Sequence, residues 1–171
     1  MNVLHLLSTC DIGGVEVLCR DYALYSTHHN YFVAIWGTNG IVAKEMAENG
    51  ANVVELGARK QDAIYIVKQL KAICKKHQID VVIAHHGSPY FYFFYFWLKH
   101  SFCNLKLIAY AHCNSVDMYK KKTFGGNFLR RKIISYGFRR ADQVIAISES
   151  VKASLYSELN VPTNTIKTIY N

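Results

Sequence analysis

The sequence predicts an α/β domain built on a Rossmann-like, doubly wound, mostly parallel sheet. Three observations predict it. Apolar runs of strand length alternate with stretches of helical periodicity from one end of the chain to the other. The runs are continuously apolar, as in strands covered on both faces by helices. The residues directly after them are polar and rich in glycine and histidine. Right-handed crossovers then give one sheet with helices on both sides, and ligands sit beyond the carboxyl ends of its strands.

Each element has its own signal. Val3-Leu4-His5-Leu6-Leu7 is a first strand; Ser8 to Ile12 turns the chain, and Gly13-Gly14 opens a helix. Val15, Leu18, Cys19, Tyr22 and Tyr25 recur at helical spacing and define its buried stripe, with His28-His29 at its solvated end. Tyr31 to Trp36 is a second strand, followed by Gly37-Thr38-Asn39-Gly40, a short helix over Ile41 to Glu48, and a third strand over Asn52 to Leu56. Ala63, Ile66, Val67, Leu70, Ile73, Cys74 and His77 mark a helix over Asp62 to Lys76, and Asp80 to Ala84 is a fourth strand. Ser88-Pro89 starts the next helix with proline in its first turn. That helix carries eight consecutive aromatics, Tyr90 to Trp97, too many for one core face, so it is expected to be partly exposed. Leu105 to Ala111 and Gln143 to Ile147 are the fifth and sixth strands. Ser148 caps a last helix with Glu149 in its first turn, and that helix ends near Asn160 ahead of Pro162.

Composition bounds the function. The 171 residues make one domain with a proper core, and 51% hydrophobic against 19% charged residues excludes a disordered chain. A formal charge of +8 favours an anionic partner. The five cysteines (Cys10, Cys19, Cys74, Cys103, Cys113) are odd in number and form no C-x-x-C pair. With an N-terminus that enters a strand without a basic leader, they predict reduced thiols and a cytoplasmic location. No apolar run reaches the roughly 18 residues a membrane-spanning helix needs. The first turn lacks the G-x-G-x-x-G of a nicotinamide site, the second strand ends in Trp36-Gly37 with no acid for a ribose, and no P-loop lysine follows the glycine pair. No cluster has zinc-ligand spacing, so no metal is expected, and no recognition motif supports nucleic-acid binding.

The residues after each strand carry the candidate site. Gly13 and Gly14 let the backbone approach a ligand and expose first-turn N–H groups, which favour an anion or a sugar hydroxyl. His85, His86, Asn114 and Ser148 are further substrate-binding candidates on the same edge, one of the paired histidines facing the cleft and the other structural. Glu16 is explained by the helix dipole, and Asp11 equally well by turn formation or by contact to an acceptor hydroxyl. Basic clusters follow at Lys120-Lys121-Lys122, Arg130-Arg131-Lys132 and Arg139-Arg140, divided by Gly125-Gly126, so the first is expected in a surface loop. Lys120, Lys121, Lys122, Arg130 and Arg131 are candidate contacts to an anionic membrane face or a phosphorylated lipid acceptor, worth about 1 kcal/mol per basic side chain.

Taken in order, these segments resemble the N-terminal domain of retaining glycosyltransferases of the GT-B fold, the group-1 or family-4 class. The resemblance rests on Asp11-Ile12-Gly13-Gly14-Val15-Glu16, the strand from Asp80 to His85, the later strand ending in His112, the run from Arg140 to Val151, and Ile166 to Asn171. It implies one half of a GT-B fold: residues 1–171 as a single acceptor-side domain, with the C-terminal donor-nucleotide domain absent from this chain. It implies hexosyl transfer from a UDP- or GDP-sugar to a glycan or lipid-linked acceptor, with retained configuration, in cell-surface polysaccharide or glycolipid synthesis at the inner face of the membrane. It implies no prosthetic group, no metal, and inactivity of the isolated domain. His112 becomes the catalytic candidate, hydrogen-bonding the transferred sugar or helping to position the acceptor, with Gly13 and Gly14 at the donor phosphates and sugar. A nucleotide-sugar epimerase of the same architecture and a non-catalytic Rossmann-like binding domain are the alternatives.

Overall fold

The computed structural model describes residues 1–85, 88–119 and 126–170. The six apolar runs become strands, and with a seventh the described residues hold β1 (Asn2–Leu7), β2 (His29–Ala34), β3 (Asn52–Glu55), β4 (Val81–Ala84), β5 (Lys106–Ala111), β6 (Gln143–Ala146) and β7 (Ile166–Thr168). They form one sheet in the order β3-β2-β1-β4-β5-β6-β7, with every pairing parallel. From β1 the chain steps outward to β2 and β3, then crosses back to β4 and continues to the other edge. The crevice between the carboxyl ends of β1 and β4 is therefore the topological switch point, where doubly wound sheets bind ligands.

Among the described residues, seven α-helices cover the sheet: α1 (Gly14–Tyr25), α2 (Ile41–Glu48), α3 (Ala63–His77), α4 (Pro89–Ser101), α5 (Ser115–Tyr119), α6 (Gly126–Arg140) and α7 (Glu149–Leu159). One core joins Leu4, Leu6, Val82, Ala84, Leu107 and Val144 to apolar residues of α3, α4, α6 and α7. On the opposite face, Leu7, Phe32 and Ala34 pack on α1 and α2, and Val3, Ile83, Tyr110 and Ile145 continue that layer. Alternate strand residues thus feed opposite cores, which is why the strands read as unbroken apolar runs.

Local chemistry sets the helix ends. Ser148 caps α7, its hydroxyl accepting from the Val151 N–H at 3.2 Å. The helix is already closed at Asn160 by a left-handed turn (φ 53°), before Pro162 can act. Pro89 occupies the first turn of α4. Phe91, Tyr92, Phe94, Tyr95 and Leu98 are buried, while Phe93 (47% exposed) and Trp97 (38%) face outward, the divided character the aromatic run predicted. Gly137 in α6 admits the Tyr92 ring, which a Cβ at that position would strike.

Several expectations need correction. The buried stripe of α1 narrows to Cys19, with Val15, Leu18 and Tyr22 half-buried and Tyr25 80% exposed. His28 and His29 do not end that helix: the Ser26 N–H closes it on the Tyr22 carbonyl at 3.1 Å, and His29 opens β2. The sheet has a seventh strand, β7, too short at three residues to show a pattern. The stretch around the basic clusters also holds α5 and α6, with Gly126 as the first residue of α6.

Candidate functional site

The loop from β1 to α1 is pinned from below. The Trp36 N–H donates to the Ser8 carbonyl at 2.8 Å, and the Ala43 N–H to the Cys10 carbonyl at 3.2 Å. Gly40 lies so close that a Cβ there would collide with the Cys10 carbonyl, so this glycine is required by packing. Gly14 is the opposite case: a Cβ there would meet nothing within 4 Å. It is the first residue of α1 and exposed, and its lack of a side chain leaves open space over the helix N-terminus. Gly13 supplies the N-cap position with no side-chain cap, and the Glu16 carboxylate folds back toward it.

Across the switch point the strands end in a chain of histidines. His5, in the middle of β1, is 1% exposed, and its Nδ1 lies 2.8 Å from Nε2 of His85. His85, directly after β4, is also 1% exposed, and its Nδ1 lies 3.2 Å from Nε2 of His112, directly after β5. At the far end, His5 Nε2 meets Asn30 Oδ1 at 3.1 Å. Phe32 stacks on His5 with ring centroids 4.6 Å apart, and Tyr110 stacks on His112 at 4.3 Å. Burial lowers the His5 pKa to about 4, with the Asn30 hydrogen bond opposing the shift. Burial pushes His85 well below the ordinary histidine range, reinforced by its two histidine neighbours. Both inner rings are neutral at physiological pH, and only half-buried His112 reaches the sheet edge.

The other sequence candidates fall into distinct settings. Asn114 is exposed on the edge beside His112. Ser148 stands after β6 with its hydroxyl committed to the α7 cap. Arg130 and Arg131 lie on α6: Arg130 Nε donates to the Met118 carbonyl at 3.0 Å, and Arg131 Nε to the Glu158 carbonyl at 2.8 Å. His86, Lys120, Lys121 and Lys122 lie outside the described residues. Between α4 and α6 runs an apolar groove of about 970 Å³, walled by Tyr90, Phe93, Phe96, Leu129 and Ile133, with Arg130 and Lys132 also lining it.

Sequence reasoning missed His5 and Asn30. The signal was present, since a histidine inside a buried apolar strand must find polar partners. His5 Nδ1, Cys19 Sγ and His85 Nε2 lie within 4.8 Å of one another and could be taken for a cation site. The fit is poor. Two imidazoles on a tetrahedral zinc stand about 3.3 Å apart, whereas these nitrogens are separated by a hydrogen-bond distance of 2.8 Å. Burial also raises the Cys19 thiol well above its ordinary pKa, away from the thiolate a metal needs.

Known proteins give the arrangement a context. The model of glycosyltransferase family 4 matches residues 12–171. No curated protein matches the chain in sequence. Among solved structures, the chain superposes on the apo form of the lipopolysaccharide outer core galactosyltransferase WaaB with a TM-score of 0.70 at 14% identity, covering 100% of this chain and 46% of that one. It superposes on Anabaena HepE, solved with UDP and glucose, with a TM-score of 0.74 at 15% identity, covering 100% and 44%. The UDP-GlcNAc 2-epimerase of Methanocaldococcus jannaschii aligns with a TM-score of 0.64 at 12% identity, covering 99% and 45%. The chain thus spans about half the length of these structures, and the likeness is one of fold.

Proposed function

The chain belongs to glycosyltransferase family 4, and on that premise we propose that it forms the acceptor-side half of a two-domain, retaining hexosyltransferase. The observation that carries this reading is the meeting, on one sheet edge, of an open helix N-terminus at Gly14 and a half-buried histidine, His112. The donor is a UDP- or GDP-sugar, lying across the cleft toward a second, nucleotide-binding domain. The α1 N-terminus supplies unpaired N–H groups and the positive end of the helix dipole to the diphosphate or the sugar. Gly14 keeps the approach clear, since any larger residue would put a side chain into that space. His112 hydrogen-bonds the transferred sugar, and Asn114 lies beside it.

The acceptor is lipid-linked or a glycan, as in cell-surface polysaccharide or glycolipid synthesis, and the α4–α6 groove favours the lipid. Its walls are aromatic and aliphatic, while Arg130 and Lys132 offer positive charge to a phosphate at its margin. Phe128 and Leu129 project beside it, 67% and 63% exposed, and Lys132 Nζ sits 4.4 Å from the centre of the Phe128 ring. A basic, aromatic surface of this kind suits an anionic membrane interface. No described helix is long and apolar enough to cross a membrane, so contact would be peripheral.

The test is division of labour. Residues 1–171 alone should fold yet transfer no hexose from UDP- or GDP-sugars to lipid-linked or glycan acceptors, and a protein carrying both domains should do so. Robust turnover by residues 1–171 alone would overturn the two-domain reading, and epimerisation of a nucleotide-sugar by the two-domain protein would favour the epimerase instead.

A further inference from the structure

Asn30 stands at the start of β2, and its amide cannot be turned around. Its Nδ2 donates to the carbonyls of Tyr22 at 3.3 Å and His28 at 3.1 Å. Its Oδ1 is therefore the atom that meets His5 Nε2. An amide oxygen only accepts, so His5 Nε2 carries the proton, and in a neutral imidazole the other nitrogen then accepts. His5 Nδ1 accepts from His85 Nε2 across 2.8 Å, which leaves His85 Nδ1 as an acceptor in its turn. His112 Nε2, 3.2 Å from it, must supply the proton. One amide thus sets the polarity of three rings.

We propose that Asn30, acting through His5 and His85, fixes the neutral His112 ring in the tautomer protonated on Nε2, which makes Nδ1 its accepting nitrogen. Asn30, His5 and His85 are positioning residues, and none of them needs to touch substrate. The inner rings keep a fixed polarity because both stay uncharged: His5 titrates at about 4 and His85 well below the ordinary histidine range. The consequence is selective. An accepting nitrogen binds a sugar hydroxyl, which can donate, and rejects a carboxylate, phosphate or carbonyl oxygen at the same place, which cannot. The role at a sugar rests on the transferase reading; the tautomer does not.

The chain labelled with nitrogen-15 histidine, read by long-range proton–nitrogen correlation at neutral pH, decides it, with the rings assigned through His112→Gln and His85→Gln variants. All three rings should carry their proton on Nε2. Scalar coupling across the N–H···N bonds should join His85 Nε2 to His5 Nδ1 and His112 Nε2 to His85 Nδ1. Asn30→Ala, checked for folding by its melting curve, should lower the His112 tautomer ratio roughly fivefold, the weight of one hydrogen bond. Asn30→Asp, which keeps an accepting oxygen, should restore it. A proton on His112 Nδ1 in the parent chain, or an unchanged ratio in folded Asn30→Ala, overturns the proposal. So does loss of the His5–His85 coupling on adding zinc, which would put a cation where the proton is placed. A wrong tautomer leaves the transferase reading standing, since sugar transfer tests that; a correct tautomer in a protein that transfers no sugar sinks that reading and keeps the relay.

Discussion

Gly40 and Gly14, in two different strand-to-helix loops, separate what the fold needs from what the proposed donor site needs. Gly40 sits against the Cys10 carbonyl, so Gly40→Ala should cost about 1–3 kcal/mol through overpacking. Gly14 faces open space, so Gly14→Ala should leave the urea midpoint unchanged or slightly higher, since alanine is the better helix former. In a two-domain protein it should still cut kcat/KM roughly tenfold or more by displacing the donor. Equal losses of stability in both variants would assign Gly14 a merely structural role. His5 makes a second residue-scale prediction. Its pKa falls from 6.5 in the unfolded chain to about 4, so on acidification the unfolded state takes up a proton that the folded state refuses. Stability is complete above about pH 6.5 and declines as pH falls toward 4, by up to roughly 3 kcal/mol for this ring, with His85 adding to the trend. Unfolding midpoints that do not move between pH 7.5 and 4.5 would mean that the rings are not buried neutral. The placement of Gly14 and His112 on the sheet edge was legible in the sequence, because each comes after a strand. The Asn30–His5–His85 chain was not, because its partners lie 25 and 80 residues apart and meet only when β1, β2 and β4 pair.

At the scale of elements, periodicity located α2 without error and most strands to within a residue or two. It failed where tertiary contacts decide. α6 carries mostly polar residues and buries little beyond Ile134 and Phe138, so its sequence shows no apolar stripe. It is held instead by packing on α4 through Gly137 and by arginines reaching the carbonyls of Met118 and Glu158. β7 is recognisable only through its ladder with β6, in which Val144 pairs Ile166. Since Arg130 and Arg131 serve that packing, the outward cation Lys132 and the exposed Phe128 are the better probes of a membrane role. Lys132→Ala combined with Phe128→Ser should weaken binding to vesicles rich in anionic lipid roughly tenfold or more, and high salt should weaken the parent. Vesicle binding indifferent to both changes would leave α6 an ordinary solvated helix.

For the whole molecule, the sheet order decides where chemistry can occur. The reversal between β1 and β4 leaves a crevice, and the polar groups the chain sets around it belong to one edge: the α1 N-terminus, His85 and His112. The chain belongs to glycosyltransferase family 4, and on the proposed transferase reading that edge is one half of an active cleft whose other half a second domain supplies. His112 stands on this edge, half-buried and hydrogen-bonded behind to His85. The most direct test is the steady-state rate of sugar transfer by the two-domain protein with His112 replaced by alanine. The variant should melt within a few degrees of the parent while kcat/KM falls roughly a hundredfold or more, mainly through kcat, because the lost hydrogen bond matters most in the transition state. A folded His112→Ala enzyme with full activity, or one that only loses stability, would contradict the assignment of this edge as the catalytic half of the cleft.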